Sequence, residues 1–322
     1  MGFHEKLLKA RRVGIDKIAL FVLLKFGFKR NFIFPTFAKW RRLLHPFSYA
    51  NRLSKVSDLV SDIPSNLIVD HKKGYFHVEN DSIPGIEELR VYCDKMFNLK
   101  KGALIAYNRK EGTASKRDKQ FYGEIFSLDN QGKMKDFLDI EEIRPVVEFA
   151  TSKTMVQIAS KYLGERPLLG EINLLNSVVN DLTTQSQLYH LDGIKHNRIK
   201  LFLAIQDVDL GTGPFTFLDS TDSDLVLSNM NYQCGRLSDE EVYAYVSPDK
   251  ANKLIGPAGS ALIIDTSKCL HYGSRCRKKD RLVLEIHYTS RFNPFGVGDS
   301  QFSKKIRKKD LATFKDPYII LT

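Results

Sequence analysis

A mainly β core flanked by helices is the fold class this sequence predicts, on three observations. Short apolar runs, several alternating with period two, recur between turn signals at residues 168–179, 199–208, 261–264 and 282–289, the pattern of sheet strands. Helical periodicity is confined to other stretches, around 84–97 and 141–162. Finally, 322 residues at 43% apolar and 27% charged suffice for a sizeable core, a length ordinary for one β-barrel unit with helical additions.

Taken in order, residues 1–56 mix basic side chains with Phe21, Phe26, Phe28, Phe32, Phe34, Phe37 and Trp40, in two expected helices broken near 31–35. This stretch holds thirteen Lys and Arg against two acids, and so carries the whole net charge of +11; the remainder is balanced. A neutral body offers no basic cleft, so nucleic acid is not an expected partner. Basic amphipathic helices of this kind meet membrane surfaces or acidic partners; the alternative is a helical layer packed on the core with its cations in water. The expected organisation is a helical segment over 1–60 followed by one domain over 61–322. Residues 18–24 are apolar but too short to span a bilayer and lack a small-residue cleavage site, so no signal peptide is expected. Gly2 is followed by Lys6 where a myristoylation site has Ser or Thr. Cys93, Cys234, Cys269 and Cys276 form no paired spacing, which suits a reducing, cytoplasmic setting, with peripheral membrane contact through residues 1–56.

From Gly74 the chain reads as a strand to Asn80. Ser82 and Pro84 then read as the cap and first turn of a helix burying Ile86, Leu89, Cys93, Met96 and Phe97. His77 and Glu79 share a strand face and form a rival metal pair, but no second histidine follows in a comparable setting. Residues 101–135 carry little signal. Residues 141–162 predict one or two helices, with a break near Thr151 and Ser152 and Gly164 as a C-cap. His71 and His196 sit in polar loops and His287 in a strand, and as single histidines they read as structural or solvated.

The chemistry concentrates in Gln187, Leu188, Tyr189, His190, Leu191 and Asp192. In a strand, residues i and i+2 project from one face, so the imidazole of His190 and the carboxylate of Asp192 can reach one ion. His271, after the apolar run 261–264, offers a second imidazole. Two histidines and one carboxylate on one face of an octahedron leave open positions, as in non-haem Fe(II) sites. Arg281 opens the next apolar run, and its guanidinium fork suits a carboxylate.

These words, together with FLAIQDVDLGTGPFTF at 202–217 and Gly256, Pro257, Ala258 and Gly259 ahead of His271, resemble the phytanoyl-CoA dioxygenase family over roughly 70–292. The resemblance implies a double-stranded β-helix (jelly-roll) core. It further implies Fe(II) held by His190, Asp192 and His271, and 2-oxoglutarate chelating the metal with its far carboxylate on Arg281. Asn173, on the strand over 168–179, is implied as a further co-substrate contact. O2 completes the set, and the implied reaction hydroxylates an aliphatic C–H of a small-molecule, lipid or glycan substrate, releasing succinate and CO2. Related halogenases carry Ala or Gly where Asp192 stands, so the carboxylate implies oxygen transfer. One departure occurs after Phe217: family members continue with Gly-Ser-His, whereas Leu218, Asp219, Ser220 and Thr221 stand here, which leaves 219–252 without a template. The competing classes are a non-catalytic jelly-roll binding protein and a membrane-surface adaptor acting through the basic segment.

Overall fold

The structure, a computed structural model, describes residues 30–79, 82–110, 122–124, 140–181, 183, 185–192, 198–232, 235–273, 275–293, 311–318 and 320–321. Helices α1 (Arg30–Leu44), α2 (Pro46–Leu53) and α3 (Val56–Val60) lead to strand β1 (Tyr75–Val78). Helix α4 (Ile86–Lys110), β2 (Tyr122–Glu124), α5 (Ile140–Ala150) and α6 (Lys153–Leu163) follow. Next come β3 (Leu168–Ser177), β4 (Arg198–Ala204), β5 (Thr216–Phe217), helices α7 (Ser220–Asn229) and α8 (Asp239–Tyr243), β6 (Asn252–Lys253), β7 (Ala261–Ile264), β8 (His271–Tyr272) and β9 (Arg281–Thr289).

All pairings within the sheets are antiparallel. The larger sheet runs β1-β7-β4-β9-β3-β2 and the smaller β6-β5-β8, with isolated bridges pairing His190 with His271, Tyr189 with Leu237 and Val208 with Gly256. Two antiparallel sheets with helices on one outer face make a jelly-roll core. Period two decides which residue faces where. On β9, Leu282, Leu284, Ile286 and Tyr288 join the core beneath the helices, while Val283 joins the layer between the sheets. On β4, Ile199, Leu201 and Leu203 point to the helices and Phe202 points inward. Every residue of β9 is buried, and apolar residues fall on both of its faces. Phe217, fully buried between the sheets, contributes on the order of 1.5–3 kcal/mol by leaving water.

The break expected near Thr151 and Ser152 separates α5 from α6. The Ser152 side chain accepts the Met155 N–H, and Gly164, at φ 70°, ends α6 in the left-handed region. The helix expected from Ser82 starts later, at Ile86; Ser82 instead donates its hydroxyl to the Glu79 carbonyl. Ile86, Leu89, Cys93, Met96 and Phe97 are all buried, as the periodicity requires. Within 219–252 stand α7 and α8, each opened by a cap: Asp219 accepts from the Asp222 N–H, and Ser238 forms a capping box with Glu241.

Residues 36–53 pack partly against the body. Arg41, buried, donates to the Asn293 carbonyl at 2.7 Å, and Arg52, buried, to the Pro167 carbonyl at 2.9 Å. Burial also pulls the Arg52 guanidinium down to about 10, helped by the neighbouring cations Arg291 and Arg166. Residues 1–29 of the basic segment, and the basic stretch 303–309, lie outside the described residues. No described helix is long and apolar enough to cross a membrane.

Candidate metal centre and its cavity

His190 and His271 meet as an antiparallel pair that exchanges both backbone bonds, His190 N–H to His271 O at 2.9 Å and His271 N–H to His190 O at 3.1 Å. Directly opposed residues bring their side chains together, and the two ring centroids lie 4.4 Å apart. In each ring Nδ1 lies 2.9 Å from the carbonyl two residues back, Leu188 for His190 and Cys269 for His271. An Nδ1–H donated there fixes the tautomer and turns the Nε2 lone pair outward. Asp192 is pinned by its own N–H to the Thr266 carbonyl at 2.9 Å, which sets its Oδ1 3.6 Å from His190 Nε2 and 3.8 Å from His271 Nε2. The three ligand atoms lie within 4.8 Å of one another, and among the described residues this is the one such group of three or more His, Cys, Asp or Glu. The rival His77 and Glu79 do not join one; His77 packs edge-on against Tyr75 instead.

The expected strand through 187–192 is only partly one. A 3-10 turn spans Gln185–Gln187, and pairing is limited to isolated bridges at Tyr189 and His190. His71 stacks on Tyr162 at 4.4 Å, and His287 packs on Gly170, where a Cβ would fall 2.7 Å from its Nδ1. Both are packing roles. His196 lies outside the described residues.

A cavity of about 270 Å³ is lined by all three candidate ligand groups. Arg281 and Asn173, both singled out by the sequence, line it. Arg281 is buried at the start of β9, opposite Ser177 of β3, and donates through Nη1 to the Gly213 carbonyl at 2.7 Å. Gly213 takes φ 65°, and a Cβ there would fall 2.4 Å from the Arg275 carbonyl carbon, so this turn requires glycine. Burial lowers the Arg281 pKa, yet a guanidinium stays charged across ordinary pH. Asn173 lies directly opposite Glu285. Phe215 stacks on the His271 ring at 5.1 Å and on Phe202 at 4.3 Å, an apolar wall on one side of the site.

Sequence reading missed Lys200 and Glu285. Both are buried and line the cavity: Lys200 Nζ is 2.7 Å from Asp192 Oδ2 and 2.6 Å from Glu285 Oε1. The signal was present, since each is a charged residue inside an apolar strand, RIKLFLA and RLVLEIHYT, where an inward charge must have a partner. Electrostatics follows the geometry. Burial alone would raise the Asp192 pKa, but Lys200 and the two imidazoles hold it well below the usual carboxylate range. Burial likewise disfavours the Lys200 ammonium, and Asp192 and Glu285 outweigh it, so its pKa is raised. Burial and the neighbouring His190 bring His271 down to about 3, a neutral imidazole. Neutral nitrogens and an ionised carboxylate are the forms that bind metal, and the mixed N and O set suits a divalent transition ion.

Fold and site together define a jelly-roll protein whose cavity carries a two-histidine, one-carboxylate set. No family model matches the chain, and no curated protein matches it in sequence. Among solved structures it is similar to EctD from S. alaskensis with 2-oxoglutarate and 5-hydroxyectoine, at 13% identity over 82% of this chain and 92% of that one, with a TM-score of 0.48. It is also similar to HygX from Streptomyces hygroscopicus with nickel and 2-oxoglutarate bound, at 10% identity, 72% and 86% coverage and a TM-score of 0.42. A third is SnoN, a non-heme alpha ketoglutarate dependent epimerase from nogalamycin biosynthesis, at 15% identity, 74% and 84% coverage and a TM-score of 0.41. The functional reading rests on the geometry of the site itself.

Proposed function

We propose that this protein is an Fe(II)- and 2-oxoglutarate-dependent oxygenase that hydroxylates an aliphatic C–H of a small-molecule, lipid or glycan substrate, with release of succinate and CO2. The observation that carries the reading is the convergence of His190 Nε2, His271 Nε2 and one Asp192 oxygen on a cavity that also holds a buried guanidinium. His190, Asp192 and His271 would hold Fe(II), which, when bound with 2-oxoglutarate, would supply the O2 chemistry at this site.

The chain's own part is binding and positioning. His190 and His271, held by backbone carbonyls at Nδ1, present fixed lone pairs. Arg281 offers a carboxylate of the co-substrate a fork that is already oriented by Gly213. Asn173 lines the same cavity and is proposed as a further polar contact. Phe202 and Phe215 keep water from the His271 side. The sequence motifs align this reading with the phytanoyl-CoA dioxygenase family.

The test is metal content and turnover together. His190→Ala, Asp192→Ala and His271→Ala should each abolish iron binding and succinate formation while leaving the circular dichroism spectrum unchanged, because ligands at an open site serve chemistry more than the core. Wild-type iron content in all three would sink the assignment.

We also infer peripheral contact with anionic membranes. Leu43, near the end of α1, and Phe47, near the start of α2, are 78% and 90% exposed, on the segment that carries the net positive charge.

A further inference from the structure

We propose that Lys200, itself held by Glu285, is a positioning residue that commits Asp192 to bind its ion through a single oxygen. This rests on the metal-site reading above and adds a residue to it. The two oxygens of Asp192 face different partners: Oδ1 lies 3.6 and 3.8 Å from the two imidazole Nε2 atoms, while Oδ2 lies 2.7 Å from Lys200 Nζ. Glu285 Oε1 grips the same ammonium from the other side at 2.6 Å.

The register leaves the lysine no other place. Ile199 and Leu201 on either side are buried in the core beneath the helices, so Lys200 must point inward, and a one-residue slip would exchange all three. On β4 and β9, Lys200 stands opposite His287 and Phe202 opposite Glu285, which makes Lys200 and Glu285 diagonal neighbours on the inner face. Held between two carboxylates and buried, the ammonium cannot swing to water.

The consequence is a matter of coordination positions. A carboxylate that chelates through both oxygens takes two positions of an octahedron, whereas one oxygen takes a single position and leaves room for exogenous ligands. A donor fixed on Oδ2 enforces the second arrangement. Partners that orient a ligand in this way typically matter about 10- to 100-fold in metal affinity.

Co(II) alone serves as the probe, read by isothermal titration and X-ray absorption. Lys200→Met combined with Glu285→Gln removes one charge of each sign with little change of volume, so Glu285 is not left as a lone buried charge. Wild type should bind Co(II) with a single carboxylate oxygen. The double variant should show a chelating carboxylate, bind Co(II) about 10- to 100-fold more weakly, and take up azide at the Co(II) less readily. Lys200→Gln keeps an N–H donor toward Oδ2 without the charge and should retain the single-oxygen signature. A double variant with wild-type affinity and an unchanged carboxylate signature would overturn the proposal, leaving Lys200 and Glu285 as a structural ion pair. If the double variant does not fold, Lys200→Gln and Lys200→Met carry the comparison, and equal signatures in those two overturn it. Wild type that binds no Co(II) ends the metal reading as a whole; wild type that binds it through both oxygens ends this inference alone.

Discussion

At Arg281, charge and shape can be separated. Lysine keeps the charge but not the bidentate fork, so Arg281→Lys should weaken 2-oxoglutarate binding by about 1–3 kcal/mol, the range for a hydrogen bond to a charged group. Calorimetry on the Co(II)-loaded protein without oxygen reads this directly, and an unchanged dissociation constant would place the anchor elsewhere. Asp192 has a consequence of its own. In the proposed site the Asp192 carboxylate takes the third ligand position and leaves no place there for a halide, so turnover in high chloride under 18O2 should give a product with labelled oxygen and no chlorine. A chlorinated product would remove Asp192 from the ligand set. His190, Asp192, His271 and Arg281 were legible as candidates because spacing and residue type single them out, and the structure brings all four to one cavity. Lys200 and Glu285 were not, because their meaning depends on a diagonal contact between β4 and β9 that no local pattern encodes.

The element that aims His271 is the turn between β7 and β8. Asp265 organises it, accepting from the Ser267 N–H at 2.8 Å, the Ser267 hydroxyl at 2.6 Å and the Tyr162 hydroxyl at 2.7 Å, while the next residue, Thr266, gives its carbonyl to Asp192 N–H. Asp265→Ala leaves those donors without their acceptor and should cost about 1–3 kcal/mol in chemical denaturation. Burial holds the Asp265 carboxyl above its ordinary value of 3.8, with Lys268, Ser267 and Tyr162 drawing it part of the way back. The folded chain therefore holds this proton more tightly than the unfolded chain. Its contribution is full below 3.8 and is lost as pH rises through the folded value. Asp265→Asn, which cannot ionise, should flatten the fall in stability as pH rises from 3.8. A variant with the wild-type pH slope would show that other groups set it.

For the whole molecule, the open question of charge is where it acts. Arg41 and Arg52 are spent on backbone carbonyls of the body, but Leu43 and Phe47 stand in solvent. Leu43→Ser with Phe47→Ser should lower sedimentation with anionic vesicles, in a manner that added salt mimics, and leave the melting temperature within about a degree or two, since exposed side chains contribute little to folding. Equal sedimentation of variant and wild type would remove this surface from the membrane reading.

The sequence by itself determined the alternating strands, the α5–α6 break at Ser152, the C-cap at Gly164, and the identity of the ligand-type residues. These are local: period, capping and donor chemistry are set by neighbours in the chain. Tertiary structure alone decided that His190 and His271 lie opposite each other although no regular strand runs through 187–192, that Arg281 shares a cavity with them, and that Lys200 turns inward to Asp192. Those facts follow from strand register and from closing long loops, where the free energy lies in burying one face of each sheet, and no stretch of sequence holds both partners.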